Sequence, residues 1–224
     1  MRVEFKGSHF ERDVILWCVR WYVAYPISYR QIEEMMGERG VEVDHSTLNR
    51  WVLKYVPALE AAFLTRKRPV GRSWRRDETY VRVKGAWKYL YRAVDKAGAT
   101  ADFLLTARRD RKAALRFLRK AIGRHGVPEK ISIDKSGAHT AAIISYNADH
   151  DTDIELRRIK YLNNIVEQDH RAIKRMVRAM LGFKAFWSAA ITIAAIEIMH
   201  MIRKGQLRST GKLRPAQQFY SLAA

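Results

Sequence analysis

Apolar positions recur at helical spacing through the first quarter of the chain and then change to alternation. Residues 10–56 predict three helices. The first runs from about Phe10 to Ala24 and stops ahead of Pro26. The second opens at Ser28, with Gln31 three residues on as in a capping box; Ile32, Met35 and Met36 form its apolar side, and it ends near Gly40. Asp44 or Ser46 caps the third, in which Leu48, Trp51, Val52 and Tyr55 fall at i, i+3, i+4 and i+7. Its other side carries Asn49, Arg50 and Lys54, with His45 and Thr47 near the start. A short helix, a glycine-containing turn and an amphipathic helix with polar groups at its N-terminal end match a helix-turn-helix, and equally an ordinary three-helix bundle.

Pro57, the run Arg66-Lys67-Arg68-Pro69 and Gly71-Arg72-Ser73 interrupt the periodicity, so residues 57–73 read as a basic linker. From Trp74 the pattern is that of strands. Trp74–Val83, Trp87–Asp95 and Thr100–Ala107 are β-rich and separated by turns at Lys84-Gly85 and Lys96-Ala97-Gly98, an antiparallel meander. A helix is expected from about Asp110 to Ile122, ended by Gly123. A buried strand follows at Lys130–Asp134, then a helix near 137–148, a strand near Ile154–Ile159, and helices near 164–181 and 184–204. Strands first, then alternating helix and strand, imply one mixed sheet with helices on its faces, an α/β domain behind a small all-α one. The expected division is 1–56, linker 57–73, 74–205, and a C-terminal tail 206–224. No internal repeat or low-complexity run is evident.

Composition changes the picture in one respect. Apolar residues make up 48%, ample for a core, but 42 Lys+Arg stand against 23 Asp+Glu, a net charge of +19. A protein this basic suits a polyanion, because neutralising phosphates releases condensed counterions. That favours DNA binding by the helical region over the plain bundle. Cys18 is the only cysteine, which excludes an intramolecular disulfide and a cysteine-based zinc site. The N-terminus has scattered charges and no apolar run of the signal-peptide kind, and Ala189–Ile202 is short and carries Glu197 and His200, so a buried helix is expected there and a cytoplasmic location is the default.

Acids in so basic a chain call for a reason. Alternation puts Asp77 on the face of its strand with Thr79, Val81 and Val83, and Glu78 with Tyr80, Arg82 and Lys84 on the more solvated face. A carboxylate on an apolar face is costly unless paired or bound to a cation, which singles out Asp77; a buried salt bridge satisfies it equally well. Asp134 ends a short apolar strand, where sheet proteins place functional groups and where an Asp also simply caps a helix. On a helix that Asn163 or Asn164 caps, Glu167, Arg171, Lys174 and Arg178 form one stripe opposite Ile165, Ala172, Ile173, Met176 and Met180. The plain reading is a Glu167–Arg171 ion pair; the sharper one is a metal ligand with a basic track for phosphates beside it. Mg²⁺ takes oxygen ligands and few protein groups, and two such ions serve an in-line phosphoryl displacement.

Several motifs then make the reading specific: Ile27-Ser28-Tyr29-Arg30, Val43-Asp44-His45-Ser46-Thr47, Trp74-Arg75-Arg76-Asp77-Glu78-Thr79-Tyr80, Tyr89-Leu90-Tyr91-Arg92-Ala93-Val94-Asp95, Ile133-Asp134-Lys135-Ser136, and Lys160-Tyr161-Leu162-Asn163-Asn164-Ile165-Val166-Glu167-Gln168-Asp169-His170. In order and spacing they resemble the DDE transposases of the IS6 (IS26-like) insertion-sequence family, over essentially the whole chain. The resemblance implies an RNase H-like fold for 74–205 and Asp77, Asp134 and Glu167 as the catalytic, metal-holding triad, with Mg²⁺ or substituting Mn²⁺ as two ions. It implies Lys174, with Arg171 and Arg178, on DNA phosphate, and the helix-turn-helix residues His45, Thr47, Asn49, Arg50 and Lys54 on the terminal inverted repeats. It further implies target DNA as a second partner and at least a dimer in the synaptic complex. Cleavage would free a 3′-OH that then attacks target DNA, with no covalent protein–DNA intermediate. Three positions depart from the pattern: Arg76 stands where an apolar residue is expected, His139 where a small amide is, and Asn163 where related families have Arg.

The alternatives are a sequence-specific regulator, which leaves the acids without purpose, an RNase H-like nuclease without strand transfer, and an inactive domesticated transposase. No His-x-His pair for a relaxase and no tyrosine-recombinase set is evident.

Overall fold

The computed structural model describes residues 3–5, 7–134, 137–209 and 211–224. The chain divides into two compact units, Met1–Arg68 with Ile173–Ala224, and Pro69–Ala172.

The first unit holds helices α1 (Arg12–Ala24), α2 (Tyr29–Gly37) and α3 (His45–Arg66), and later α7 (Phe186–Arg203) and α8 (Pro215–Tyr220). The expected capping box is present: Ser28 Oγ accepts from Gln31 N–H, and Gln31 Oε1 accepts from Ser28 N–H at 2.7 Å. Asp44 caps α3, accepting from Ser46 and Thr47 N–H; these bonds hold its carboxyl well below the usual range. α3 does not end at Pro57, as the linker expectation required, but continues through it to Arg66. A mid-helix proline costs about 3 kcal/mol. Beyond it, Leu59 and Phe63 extend the stripe of Val52, Tyr55 and Val56 into the core, where Leu59 is 1% and Phe63 0% exposed. Each such burial contributes about 1.5–3 kcal/mol, enough to offset the proline.

Residues 206–224, expected as a C-terminal tail, pack back onto the first unit. Arg68 N–H donates to Gln206 C=O and Arg208 N–H to Arg66 C=O, so the segment after α7 runs back along the end of α3. Phe219 and Leu222 are buried, and Arg66 donates to the Ser221 carbonyl and hydroxyl. α7 is apolar and long enough to cross a membrane, but 61% of its most apolar window is buried inside the protein.

The second unit is a five-stranded sheet in the order β3-β2-β1-β4-β5. β1 (Ser73–Val83), β2 (Ala86–Asp95) and β3 (Thr100–Thr106) form the meander, while β4 (Lys130–Ser132) joins β1, and β5 (Glu155–Arg157) joins β4, in parallel. The first strand in the middle, a meander on one side and parallel strands on the other give the RNase H-like sheet that the family motifs imply. The β1–β2 loop is the two residues Lys84 and Gly85, at φ 49° and 76°, the all-positive pattern of a tight hairpin turn. At the next turn Asp95 accepts from Ala97 and Ala99 N–H and fixes the reversal.

α4 (Arg111–His125) is capped by Asp110 and runs past Gly123, ending at Gly126 with φ 78°. Ala121 and Ile122 still pack inward there, so the helix closes only where a left-handed residue becomes available. α5 (Gly137–His150) follows β4. Trp74, Tyr91, Ala93, Phe117, Leu118, Ile131, Ile133 and Ile143 make the core between the sheet and these two helices. A 3-10 turn (Lys160–Asn163) then leads into α6 (Asn164–Ala179).

Candidate active site

β1 carries two adjacent acids to opposite faces of the sheet. As alternation requires, Asp77 shares a face with Thr79, Val81 and Val83, all three buried. Its side chain keeps 18% exposure, and Oδ2 lies 3.2 Å from His170 Nε2 on α6. Arg92, the cross-strand partner of Asp77, lies 3.4 Å from His170 Nδ1 and donates to Asp169 at 2.6 Å. A guanidinium can only donate, so Nδ1 accepts and Nε2 carries the proton toward Asp77. Asp77 Oδ1 makes no hydrogen bond among the described residues.

Glu78 corrects the expectation of a solvated face. Farther along the strand Tyr80 and Arg82 are indeed exposed, but the Glu78 side chain is 2% exposed. It ion-pairs with Arg109, and its Oε2 is 2.7 Å from His139 Nε2 in the first turn of α5. Burial pushes this carboxyl up, but the His139 hydrogen bond and the charges of His139, Arg109 and Arg76 outweigh it and leave it below its usual range. Burial and Arg76 in turn pull the His139 imidazole down. Arg76, 1% exposed, donates to Ala114 C=O at 2.6 Å and lies over the rings of Tyr91 and Phe117; burial pulls it down to about 10. The two departures from the family pattern, Arg76 and His139, therefore meet in one buried cluster around Glu78.

Asp134 stands past the end of β4 and is partly exposed. β1 and β4 pair Ser73 with Lys130, Trp74 with Ile131 and Arg75 with Ser132, a constant offset of 57 positions. Asp77 and Asp134 are separated by the same 57, so each acid lies two residues past the last paired position. The charge of Asp134 acts on both Arg109 and His139. Lys135 and Ser136, which follow it in the family motif, lie outside the described residues.

Glu167 is exposed in the first turn of α6, and the ion pair to Arg171 is not formed among the described residues. Arg171, Lys174 and Arg178 are exposed, as the stripe predicts. The buried side differs from expectation: Ile165 is 36% exposed and Ala172 and Met180 are half-buried, while Val166 and His170 are buried with Ile173 and Met176. Val166 and His170 take over because they stand at the i−7 and i−3 positions of the Ile173 stripe. Asn163 is 2% exposed, and its amide makes no hydrogen bond among the described residues.

Asp77 on β1 and Asp134 beyond β4 thus follow the last paired position of the two strands by the same two residues. The structure ties α6 to Asp77 through His170, one helical turn from Glu167. It does not gather the triad: among the described residues no group of three or more His, Cys, Asp or Glu stands close enough to hold a metal ion. The donor chemistry, carboxylate oxygens that are partly or fully exposed, fits a hard divalent cation.

In the first unit, Asn49, Arg50 and Lys54 are exposed on α3. His45 is committed to Glu33 at 3.0 Å, and Thr47 accepts from Arg50 and donates to Asp44 within the cap.

Sequence reasoning missed His170, Arg92 and the Glu78–His139–Arg109 cluster. One signal was available: His170 sits three residues after Glu167, hence on nearly the same helical face. The cluster has no local signal, since its members come from β1, the segment before α4, and α5.

A family model described as a DDE domain matches residues 71–206. The transposase for insertion sequence-like element IS431mec of Staphylococcus aureus (strain N315) is 38% identical over 210 residues, covering 92% of this chain and 91% of that one. The transposase for insertion sequence element IS257 in transposon Tn4003 of Staphylococcus aureus is 37% identical with the same coverage. Among solved structures, the catalytic core domain of BIV integrase is similar with a TM-score of 0.46 and 17% identity, over 67% of this chain and 95% of that one.

Proposed function

Because the chain belongs to the IS6 family of insertion-sequence DDE transposases, enzymes of DNA transposition, we propose that Asp77, Asp134 and Glu167 are its catalytic, metal-holding acids. The observation that carries this is the β1–β4 register, whose offset equals the spacing of the two aspartates. Two bound divalent ions, Mg²⁺ or substituting Mn²⁺, would activate the attacking oxygen and stabilise the leaving one. Asp77 offers Oδ1 while His170 fixes Oδ2. Glu167 offers its carboxylate from the exposed face of α6. Lys174, Arg171 and Arg178 grip phosphate along the same helix.

On this reading, water attacks a phosphodiester at the element end and the P–O3′ bond breaks; the freed 3′-OH then attacks a phosphodiester of target DNA, whose own P–O3′ bond breaks and leaves a target 3′-OH. The chain forms no covalent bond to DNA. The helices of residues 1–56 read the terminal inverted repeats, with Asn49, Arg50 and Lys54 as the exposed contacts and His45 and Thr47 shaping the start of α3. Pairing two ends calls for at least a dimer, working on the nucleoid in the cytoplasm.

The test is labelled terminal-repeat DNA incubated with the protein and Mg²⁺. Asp77→Asn, Asp134→Asn and Glu167→Gln each abolish 3′-end cleavage and joining and leave end binding intact. Full activity in any one removes that residue from the site. Binding without cleavage under every divalent ion supports the regulator reading instead.

A further inference from the structure

One face of the β1–β2 hairpin is open near its turn, and that face is aromatic and basic, while Val81 and Val83 on the other face are buried. Tyr80 is 46% and Trp87 61% exposed, large for rings in a strand pair. They sit edge-to-face at 6.4 Å, and Tyr80 also meets Tyr89 at 5.4 Å. Cross-strand register pairs Arg82 with Trp87 and Tyr80 with Tyr89, so one face carries Tyr80, Arg82, Trp87 and Tyr89 together. Arg82 and Lys84 are exposed, and Lys88 is half-buried on the opposite face beside Val81. None of these three cations forms an ion pair among the described residues. Thr106 Oγ1 can donate to Arg108 C=O at 2.9 Å or to Tyr89 C=O at 3.2 Å. Thr79–Tyr89 contains no acid.

We propose that this face is a DNA-strand platform, Trp87 and Tyr80 stacking on unpaired bases while Arg82 and Lys84 hold the flanking phosphates. Exposed rings lose water when a base covers them, but in a duplex the base faces are already stacked on one another; only unpaired nucleotides offer a free face. The cationic rim selects a polyanion and disfavours a second copy of the same +19 chain. The tight turn, with Lys84 and Gly85 both at positive φ, keeps the platform rigid. A transposase exposes single strands when it opens element ends or target DNA, so the inference rests on the family reading. It is independent of the acid triad.

The experiment measures binding in EDTA, so that cleavage plays no part, to a single-stranded oligo-dT, to a duplex with a short unpaired flank, and to a blunt duplex of equal length. Trp87→Ala lowers affinity for the first two about tenfold and leaves the blunt duplex within twofold. Trp87→Phe keeps most of the preference. The variant R82Q/K84Q weakens all three and flattens the salt dependence. Trp87→Ala binding all three probes as the unaltered chain does, or losing all three equally, overturns the proposal. The same result accompanied by a smaller particle in sedimentation would make this face a contact between copies. Failure of the acid substitutions to stop strand transfer would sink the triad and leave these affinities untouched.

Discussion

On the two faces of β1, adjacent carboxylates live under opposite conditions. Asp77 is partly open, held by one imidazole, and has an oxygen to spare. Glu78 is closed over by α4 and α5 and surrounded by Arg109, His139 and Arg76. A buried acid whose charge is matched by protein cations has no use for a metal ion. An accessible acid left under-neutralised does. On the proposed assignment, structural and functional carboxylates differ here in the count of cations around each, not in burial alone.

The largest effect that tests this contrast is catalytic. With Asp77 in the proposed metal-holding role, Asp77→Asn lowers strand transfer below about 1% of the unaltered chain, at least ~2.7 kcal/mol of transition-state stabilisation. Its melting temperature stays the same or rises. A large fall in thermal stability in this variant would make Asp77 a structural acid like its neighbour.

Glu78→Gln gives the reverse result. It leaves the buried Arg76 without its nearby anion, while the partly exposed Arg109 is resolvated, a loss of about 1–3 kcal/mol. For a unit of this size that is on the order of 10 °C in Tm, measured calorimetrically on the whole chain. End binding persists below the transition. An unchanged Tm would mean that the cluster contributes nothing net.

The pH dependence of the Glu78 contribution has a definite sign. Its folded pKa lies below the ordinary value, so the unfolded chain takes up the proton first as pH falls. The stabilisation is fully present above pH ~4.3 and is lost as pH drops toward the folded pKa. Urea titrations at pH 7, 5, 4 and 3 should show the gap between the unaltered chain and Glu78→Gln closing at the acid end. A gap that stays constant to pH 3 would refute the assignment.

These contrasts also mark what the sequence could reveal. Local patterns were legible: the Ser28–Gln31 box, the Asp44 cap, the meander and the face occupied by Asp77 all follow from spacing within a few residues. Pro57 misled because the breaking effect of a proline is local, whereas the burial of Leu59 and Phe63 that overrides it is tertiary. Glu78 misled for the same reason, since Tyr80 and Arg82 beyond it are exposed and only α4 and α5 close over the start of the strand. Asp134 was weak evidence alone; its link to Asp77 is a strand register, which no linear pattern encodes.

The smallest expected effect concerns the two departures from the family pattern. Arg76 and His139 are 63 positions apart, yet both face Glu78, and Arg76 lowers the His139 pKa through charge repulsion. Arg76→Val removes a cation whose Nε and Nη1 have no partner, which relieves desolvation but takes one charge from Glu78. His139→Asn keeps a donor within reach but frees space beside Tyr91, whose ring lies 5.5 Å from the imidazole. Because the two share one anion, their stability changes should not add: the double variant departs from the sum by ~0.5 kcal/mol or more in a double-mutant cycle. Asp77 lies across the sheet from both, so the same cycle between Asp77→Asn and His139→Asn should be additive within ~0.5 kcal/mol. Coupling of equal size in both cycles would mean that the faces of β1 are not separate environments, and the contrast between its two acids would have to be given up.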